Sequence, residues 1–202
     1  WLPALGLNLI IRMDGFAWMF CMLVLGVGSL VVLYARYYMS AADPAPRFFS
    51  FFLAFMGAMA GVVLSGNIIQ IAFFWELTSL FSFLLIGYWH HRRDARRGAR
   101  MALTVTGAGG LCLLAGMLVL GHIVGSYDLD VVLASGVQVR THPLYTVVLV
   151  LVLLPPLAGV LGGAAVQQAG TSTTELWWTI GQTLLQVAAF IVVMLVAGRK
   201  VL

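Results

Sequence analysis

The sequence predicts an all-α fold, a polytopic bundle of five to six helices that span a membrane. Composition is the first reason, because 62% of the 202 residues are hydrophobic and 9% are charged, whereas a typical soluble domain has about 25% charged residues. The second reason is a series of apolar runs of about 20 residues, the length that crosses a bilayer. The third is that the sequence lacks the alternating hydrophobicity of a membrane β-barrel, which leaves helices as the way to satisfy the backbone in lipid.

The same composition narrows the functional classes. Soluble globular domains, disordered chains and disulfide-rich secreted scaffolds are excluded. The formal net charge is +4, and five of the eleven basic residues lie between positions 92 and 100, beside apolar runs. Basic residues at that place bear on membrane orientation, so we expect no nucleic acid partner. Cys21 and Cys112 both lie inside apolar runs, and we expect no disulfide, metal or cofactor.

Six apolar segments follow one another along the chain. The predicted spans are residues 16–34, 48–64, 68–89, 101–124, 144–161 and 176–197. The turn Ser65-Gly66-Asn67 is so short that the second and third spans must be antiparallel neighbours. A basic loop, HHRRDARRGAR, separates the third span from the fourth, and a polar loop, residues 125–143, follows the fourth. The fifth is short and contains Pro155-Pro156, so the sequence leaves open whether it spans the membrane or re-enters it.

Lys and Arg residues are distributed unequally between the two sides of the predicted bundle. The loops after the first, third and fifth spans carry seven of them: Arg36, Arg47, Arg92, Arg93, Arg96, Arg97 and Arg100. The opposite side carries four: Arg12, Arg140, Arg199 and Lys200. Because basic loops stay in the cytoplasm, we expect the loop Arg92–Arg100 to be cytoplasmic and residue 1 to lie outside. The five arginines of this loop are predicted to determine topology. Contact with anionic lipid is a second role and docking of a cytoplasmic partner a third.

Glu76 is the one charged residue well inside a predicted span. An ionised carboxylate at that depth costs at least a few kcal/mol, so intramembrane acids are rare and commonly mark proton or ion pathways. We predict that Glu76 relays protons. Ser79, one turn along the helix, and His122, at the outer mouth, are predicted as supporting relay groups. The alternative is a permanently protonated Glu76 that only fixes helix packing.

Histidines and glycines suggest further interpretations. His122 and His142 flank the outer loop. Two histidines so placed suggest the alternative function of a haem-binding redox protein. Paired haem ligands normally lie on facing helices, however, and His142 precedes a proline in a loop. Interfacial or packing roles are therefore favoured for both histidines.

The glycines of Gly57-x-x-x-Gly61 and of Thr106-Gly107-Ala108-Gly109-Gly110 are predicted to let helices approach closely.

The segments FFWELTSLFSFLLIGYWHH and TVTGAGGL carry a family resemblance. With their neighbours from Trp1 to about Leu153, they resemble the large A subunit of Mrp-type multisubunit monovalent cation/proton antiporters. That protein belongs to an antiporter-like family shared with respiratory complex I. The resemblance implies that Glu76 corresponds to the family's essential proton-channel glutamate. In the family that glutamate pairs with a lysine on a later helix, just past the position of Leu154, and this sequence has no lysine there.

The chain is predicted to have two parts. Residues 1–153 form the N-terminal part of an antiporter-like membrane domain. Residues 154–202 are divergent, weakly resemble Kef-type cation/proton antiporters, and suggest a fusion or junction. Because the chain starts at Trp1 and not at Met, we expect a fragment or a missing start.

Two functions remain open at the level of sequence. The first is a component of a Na⁺ or K⁺/proton antiporter, a transporter and not an enzyme, in a bacterial inner membrane. Its partners would be the other subunits of a multisubunit complex, the lipid bilayer, protons and monovalent cations. The second is a packing or assembly fragment of such a complex that transports nothing itself.

Overall fold

The computed structural model describes residues 8–40 and 43–153. Within these ranges the backbone is helical apart from turns, short connections and two isolated β-bridges, which join Ile11 to Ser65 and Asn67 to Asp128. The predicted sixth span, the end of the fifth span and the predicted C-terminal part lie outside the described residues.

The described ranges contain six helices, of which the first four are long and apolar enough to cross a membrane. The helices are α1 (Gly15–Tyr38), α2 (Ala45–Leu64), α3 (Ile68–Ile86), α4 (Arg93–Val124), α5 (Leu129–Ala134) and α6 (Gly136–Thr141). A further helical stretch, residues 145–153, begins the fifth predicted span. The predicted all-α membrane bundle is therefore confirmed.

The basic stretch is not the loop that the sequence suggested, because most of it forms the first two turns of α4. This helix is 32 residues long and begins at Arg93, ahead of the predicted start at Met101. Ala and Arg are strong helix formers, and Asp94 in the first turn complements the positive end of the helix dipole. About 20 residues suffice to cross a bilayer, so the extra turns carry the arginines to the membrane surface.

Other boundaries differ from the prediction as well, since α1 continues past residue 34 to Tyr38 and α2 begins ahead of residue 48, at Ala45. Helix α3 ends at Ile86, short of residue 89, where Gly87 forms the C-cap and its N–H bonds to the Phe83 carbonyl. The predicted polar loop 125–143 contains α5 and α6. Helix α5 forms there because Leu129, Val132 and Leu133 are buried against the core cluster that α3 and α4 share.

Polar side chains and one glycine set the helix ends. The Asp14 carboxylate accepts a hydrogen bond from the Ala17 N–H at 2.8 Å and caps α1. The Asn67 side chain accepts one from the Ile69 N–H at 3.0 Å and caps α3. Gly125, with φ of 78°, ends α4 in the left-handed conformation that glycine adopts without strain.

The helices pack in chain order. Helix α3 lies between α2 and α4, and α1 packs against α2. Most of α1 is exposed and apolar, as expected of a helix that faces lipid or a partner helix. One of the predicted close approaches is present in α2, where Phe74 of α3 packs directly over Gly61. Within the described part of the chain, no atom outside its own helix approaches the position of the missing side chain of Gly57.

The four long helices alternate in direction, so the chain has two chemically different ends. At one, the capped end, residues 10–14, 64–68 and 125–130 are tied together by backbone hydrogen bonds of 2.8–2.9 Å. Arg12 forms ion pairs there with Asp14 at 3.4 Å and Asp130 at 3.2 Å. The other, the basic end, consists of residues 36–40, 43–47 and 87–100 and holds all seven arginines that the sequence assigned to one side.

Candidate functional site

Glu76 lies near the middle of α3, and its carboxyl group points at α4. Its contact there is Gly110, where a Cβ atom would collide with the Glu76 carboxyl. Gly109 and Gly110 are both buried, so small residues on α4 provide the room that the carboxyl occupies. The predicted close approach at this glycine stretch therefore has a specific occupant, which is the acidic side chain of the neighbouring helix.

The carboxyl group of Glu76 has an unsatisfied oxygen. Oε1 is buried, and no hydrogen-bond partner for it lies within the described residues. Both ion pairs found in that part of the chain belong to Arg12 at the capped end, far from the middle of α3. An unpartnered ionised carboxylate at the membrane centre costs at least about 2.5 kcal/mol. Glu76 therefore requires a proton, a water molecule or a cationic partner.

Buried hydroxyl groups continue along α3 from Glu76 towards the basic end. Ser79 is 3% exposed and Ser82 is 8% exposed. The Ser79 hydroxyl donates to the Trp75 carbonyl at 3.4 Å. Ser79 is thus one turn from Glu76, as predicted, but its hydroxyl bonds to the backbone and not to the carboxyl. Its supporting role stays a prediction.

His122 does not lie near Glu76. It is exposed in the last turn of α4, at the capped end. Twelve residues separate it from Gly110, which corresponds to about 18 Å along a helix. The structure therefore places His122 at one mouth of the bundle, and its role there remains a prediction. Across residues 8–40 and 43–153, no group of three or more His, Cys, Asp or Glu residues could hold a metal ion.

The arginines of the basic stretch surround the start of α4. Arg92 is the N-cap residue, and its guanidinium lies 5.8 Å from the centre of the Trp89 ring. The four arginines that follow are exposed on the first two turns: Arg93, Arg96, Arg97 and Arg100. Two of them, Arg96 and Arg100, line a cleft of about 630 Å³ that opens at the basic end. The sequence did not show this cleft, because it joins residues of three helices.

Asp43 contributes a negative charge to the basic end. Its carboxylate accepts hydrogen bonds from the Ser40 hydroxyl at 2.9 Å and from the Trp89 indole N–H at 3.4 Å. The bond from Ser40 is the main cause that lowers the pKa of Asp43 below its ordinary value of 3.8. The ionised carboxylate thus ties the α1–α2 connection to the segment that follows α3.

Gly110 was missed as a site residue by reasoning from sequence. The run of glycines around it indicated close packing. Which glycine would meet Glu76 depends on the register between α3 and α4, and that register is set by packing and not by local sequence. The buried hydroxyl of Ser82 was missed as well, although its spacing of three residues from Ser79 was a usable signal.

Two family models match the chain. The one described as NADH:quinone oxidoreductase/Mrp antiporter, TM, matches residues 65–196. The one described as NADH-Ubiquinone oxidoreductase (complex I), chain 5 N-terminus, matches residues 1–49. The first match continues beyond residue 153, where the sequence suggested a boundary, and that boundary stays a prediction.

Individual relatives show the same similarity over a shorter range. The A/B subunit of a probable K(+)/H(+) antiporter from Rhizobium meliloti is 67% identical over 154 residues, which are 76% of this chain and 15% of the relative. The A1 subunit of a Na(+)/H(+) antiporter from Staphylococcus haemolyticus is 40% identical over 154 residues, 76% of this chain and 19% of the relative. The chain thus spans less than a fifth of the length of these relatives.

A solved structure agrees with the sequence comparison. A chain in the structure of the Mrp complex from Dietzia sp. DQ12-45-1b superposes with a TM-score of 0.73 at 31% identity, over 79% of this chain and 17% of that one. Since the match over residues 65–196 covers most of the sequence, the chain belongs to the NADH:quinone oxidoreductase/Mrp antiporter transmembrane family.

Proposed function

We propose that this chain is a component of a monovalent cation/proton antiporter, with Na⁺ or K⁺ as the cation, in which Glu76 carries protons. One observation supports the role of Glu76 above all others. Its carboxyl lies in the middle of a spanning helix, against Gly110, with a buried oxygen that no described residue satisfies. The family and the names of the relatives support the antiporter component.

The chemistry follows from the two charge states of Glu76. When protonated, the carboxyl is neutral and is tolerated beside Gly110. When ionised, it needs a positive partner or water, because an unpaired charge at that depth is costly. By the family resemblance this partner is a lysine, and we place it on a segment or a neighbouring protein beyond the described residues. A cation that competes for the ionised carboxylate would link its own movement to that of the proton.

Protons would reach Glu76 from the basic end. Ser79 and Ser82 are buried on α3 between Glu76 and that end, and hydroxyl groups both donate and accept hydrogen bonds. We assign the basic end to the cytoplasm of a bacterial inner membrane, because cytoplasmic segments carry the excess of Arg and Lys. His122 would lie at the opposite, outer mouth.

A second candidate function is a packing or assembly module with no ion flux. The close contact between the Glu76 carboxyl and Gly110 favours it, because a permanently neutral carboxyl would fill this space equally well. In that case Glu76 would never ionise in the working protein.

Flux measurements separate the two functions. The full chain is reconstituted in liposomes as wild type, as Glu76→Gln, and as Asp94→Asn, a control that removes an exposed carboxylate on α4. We expect Na⁺- or K⁺-dependent proton flux in the wild type and Asp94→Asn, and at least about a hundredfold less in Glu76→Gln, the scale of losing a proton-transfer group. Equal background flux in all three would instead support the assembly module.

A further inference from the structure

The cleft at the basic end combines two kinds of lining. Four basic side chains line it: Arg47 of α2, His90 of the turn after α3, and Arg96 and Arg100 of α4. The remaining lining residues include Phe83, Leu84 and Ala99, which are apolar. The lining of the cleft therefore combines positive charge with apolar surface.

No acid in the described ranges forms an ion pair with the arginines of the cleft. Both ion pairs found among residues 8–40 and 43–153 are at the opposite, capped end. The two acids of the basic end, Asp43 and Asp94, do not line the cleft. Asp43 is held by Ser40 and Trp89, and Asp94 is exposed in the first turn of α4.

Hydrogen-bond donors remain available at the mouth. The Arg47 guanidinium contacts His90 Nδ1 at 3.4 Å. Because an arginine can only donate, Nδ1 accepts, and the proton of a neutral His90 is then on Nε2. Arg100 uses its Nε–H for the Arg96 carbonyl at 3.3 Å, which leaves the terminal N–H groups of its guanidinium. Guanidinium forks of this kind match the oxygens of a phosphate.

Two helix N-termini add to the positive potential at this end. Helices α2 and α4 both begin there, and neither has a side-chain cap. Helices α1 and α3 begin at the opposite end, and both are capped by an acceptor side chain. Uncapped N-terminal N–H groups carry partial positive charge and favour an anion nearby, and Asp94 in the first turn of α4 offsets part of this charge.

We propose that this cleft binds the phosphate headgroup of an anionic phospholipid, with an acyl chain along its apolar lining. The arginines and the histidine recognise the phosphate, which a free phosphate ion would share. The apolar wall formed by Phe83, Leu84 and Ala99 favours the lipid, because a free ion gains nothing from it. The site is independent of Glu76, so it holds whether or not the chain transports ions.

The test compares two pairs of substitutions in the full chain. R96Q/R100Q removes two cleft arginines, and R93Q/R97Q removes two exposed arginines of the same helix that do not line the cleft. Both lower the net charge equally. Native mass spectrometry from detergent micelles counts the bound phosphatidylglycerol, and phosphatidylcholine and inorganic phosphate serve as comparison ligands. R96K/R100K keeps the charge and reports on any folding defect.

We expect R96Q/R100Q to weaken phosphatidylglycerol binding at least about tenfold, which corresponds to about 1.4 kcal/mol, because it removes two charged donors. R93Q/R97Q should weaken it less than about twofold, as exposed charges do. R96K/R100K should bind more tightly than R96Q/R100Q, and phosphatidylcholine should bind more weakly than phosphatidylglycerol. An equal loss in the two Gln pairs, equal binding of the two lipids, or inorganic phosphate that binds the wild type as tightly as the lipid would overturn the proposal.

Discussion

The pair formed by Glu76 and Gly110 is the central feature at the scale of single residues. The glutamate could be recognised in the sequence, because a lone acid in an apolar helix is costly and rare. Its glycine partner could not be recognised in the sequence, because the contact depends on the register between α3 and α4. The structure shows that the carboxyl fills the space over Gly110. Any side chain at position 110 must therefore displace the group on which the proposed function depends.

Substitution of this glycine tests the contact. We predict that Gly110→Ala lowers the stability of the detergent-solubilised chain by about 1–3 kcal/mol, the usual cost of overpacking a buried site. Gly107→Ala is the matched control, because no atom of another described helix lies within 4 Å of the added methyl group. It should be neutral or stabilising by up to about 1 kcal/mol, since alanine favours helix more than glycine does. Thermal unfolding measures both changes.

A double substitution assigns the cost of Gly110→Ala to Glu76. When Glu76→Ala removes the carboxyl, most of the destabilisation by Gly110→Ala should disappear, because the two residues compete for one space. An unchanged cost in this background would mean that another neighbour limits the site, and the contact described here would be wrong.

Asp43 gives a pH-dependent prediction at the same scale. Its folded-state pKa is lowered, so its hydrogen bonds stabilise the fold above the ordinary value of 3.8 and are lost as the pH falls through the lower, folded value. We expect the wild type to lose more thermal stability on acidification below pH 3.8 than Asp43→Asn, which has no charge to lose. If the thermal stability of the two proteins changes with pH in the same way, this carboxylate does not stabilise the basic end.

At the scale of helices, the capped end depends on Asp14. This side chain caps α1 through the Ala17 N–H and pairs with Arg12. Asp14→Ala should cost about 0.5–2 kcal/mol of stability, the range for loss of an N-cap. Asp130→Ala is the comparison, because it removes the other ion pair of Arg12 but no cap, and it should cost less than about 1 kcal/mol. Equal costs in thermal unfolding would assign the effect to the ion pairs and not to the cap.

Some of the helices can be predicted from the sequence and others cannot. The first three spans were predicted close to their observed positions, because an apolar run and a capping residue or a short turn coincide at their ends. The start of α4 was missed, since the five arginines suggested a loop although Ala and Arg favour helix. Helix α5 was missed because its stability comes from burying Leu129, Val132 and Leu133 against other helices, which a local pattern does not reveal.

At the scale of the whole molecule, the two ends of the bundle determine the expected orientation. The basic end carries seven arginines, and the capped end is closed by hydrogen bonds between three segments. We predict that Ser40→Cys reacts with a membrane-impermeant thiol reagent from the cytoplasmic side and Asn8→Cys from the outer side, each in a Cys21→Ala/Cys112→Ala background. Both residues are exposed, at opposite ends. The reverse pattern of labelling would contradict the assignment of the basic end to the cytoplasm.

Infrared difference spectroscopy of the reconstituted chain can show whether Glu76 gains and loses a proton in the membrane, as we propose. A protonated carboxyl has a C=O band distinct from that of a carboxylate. We predict such a band that disappears as the pH rises or as Na⁺ or K⁺ is added, and that is absent in Glu76→Gln. A Glu76 band that stays unchanged under all these conditions would show that Glu76 is a permanently neutral packing group and not a proton carrier.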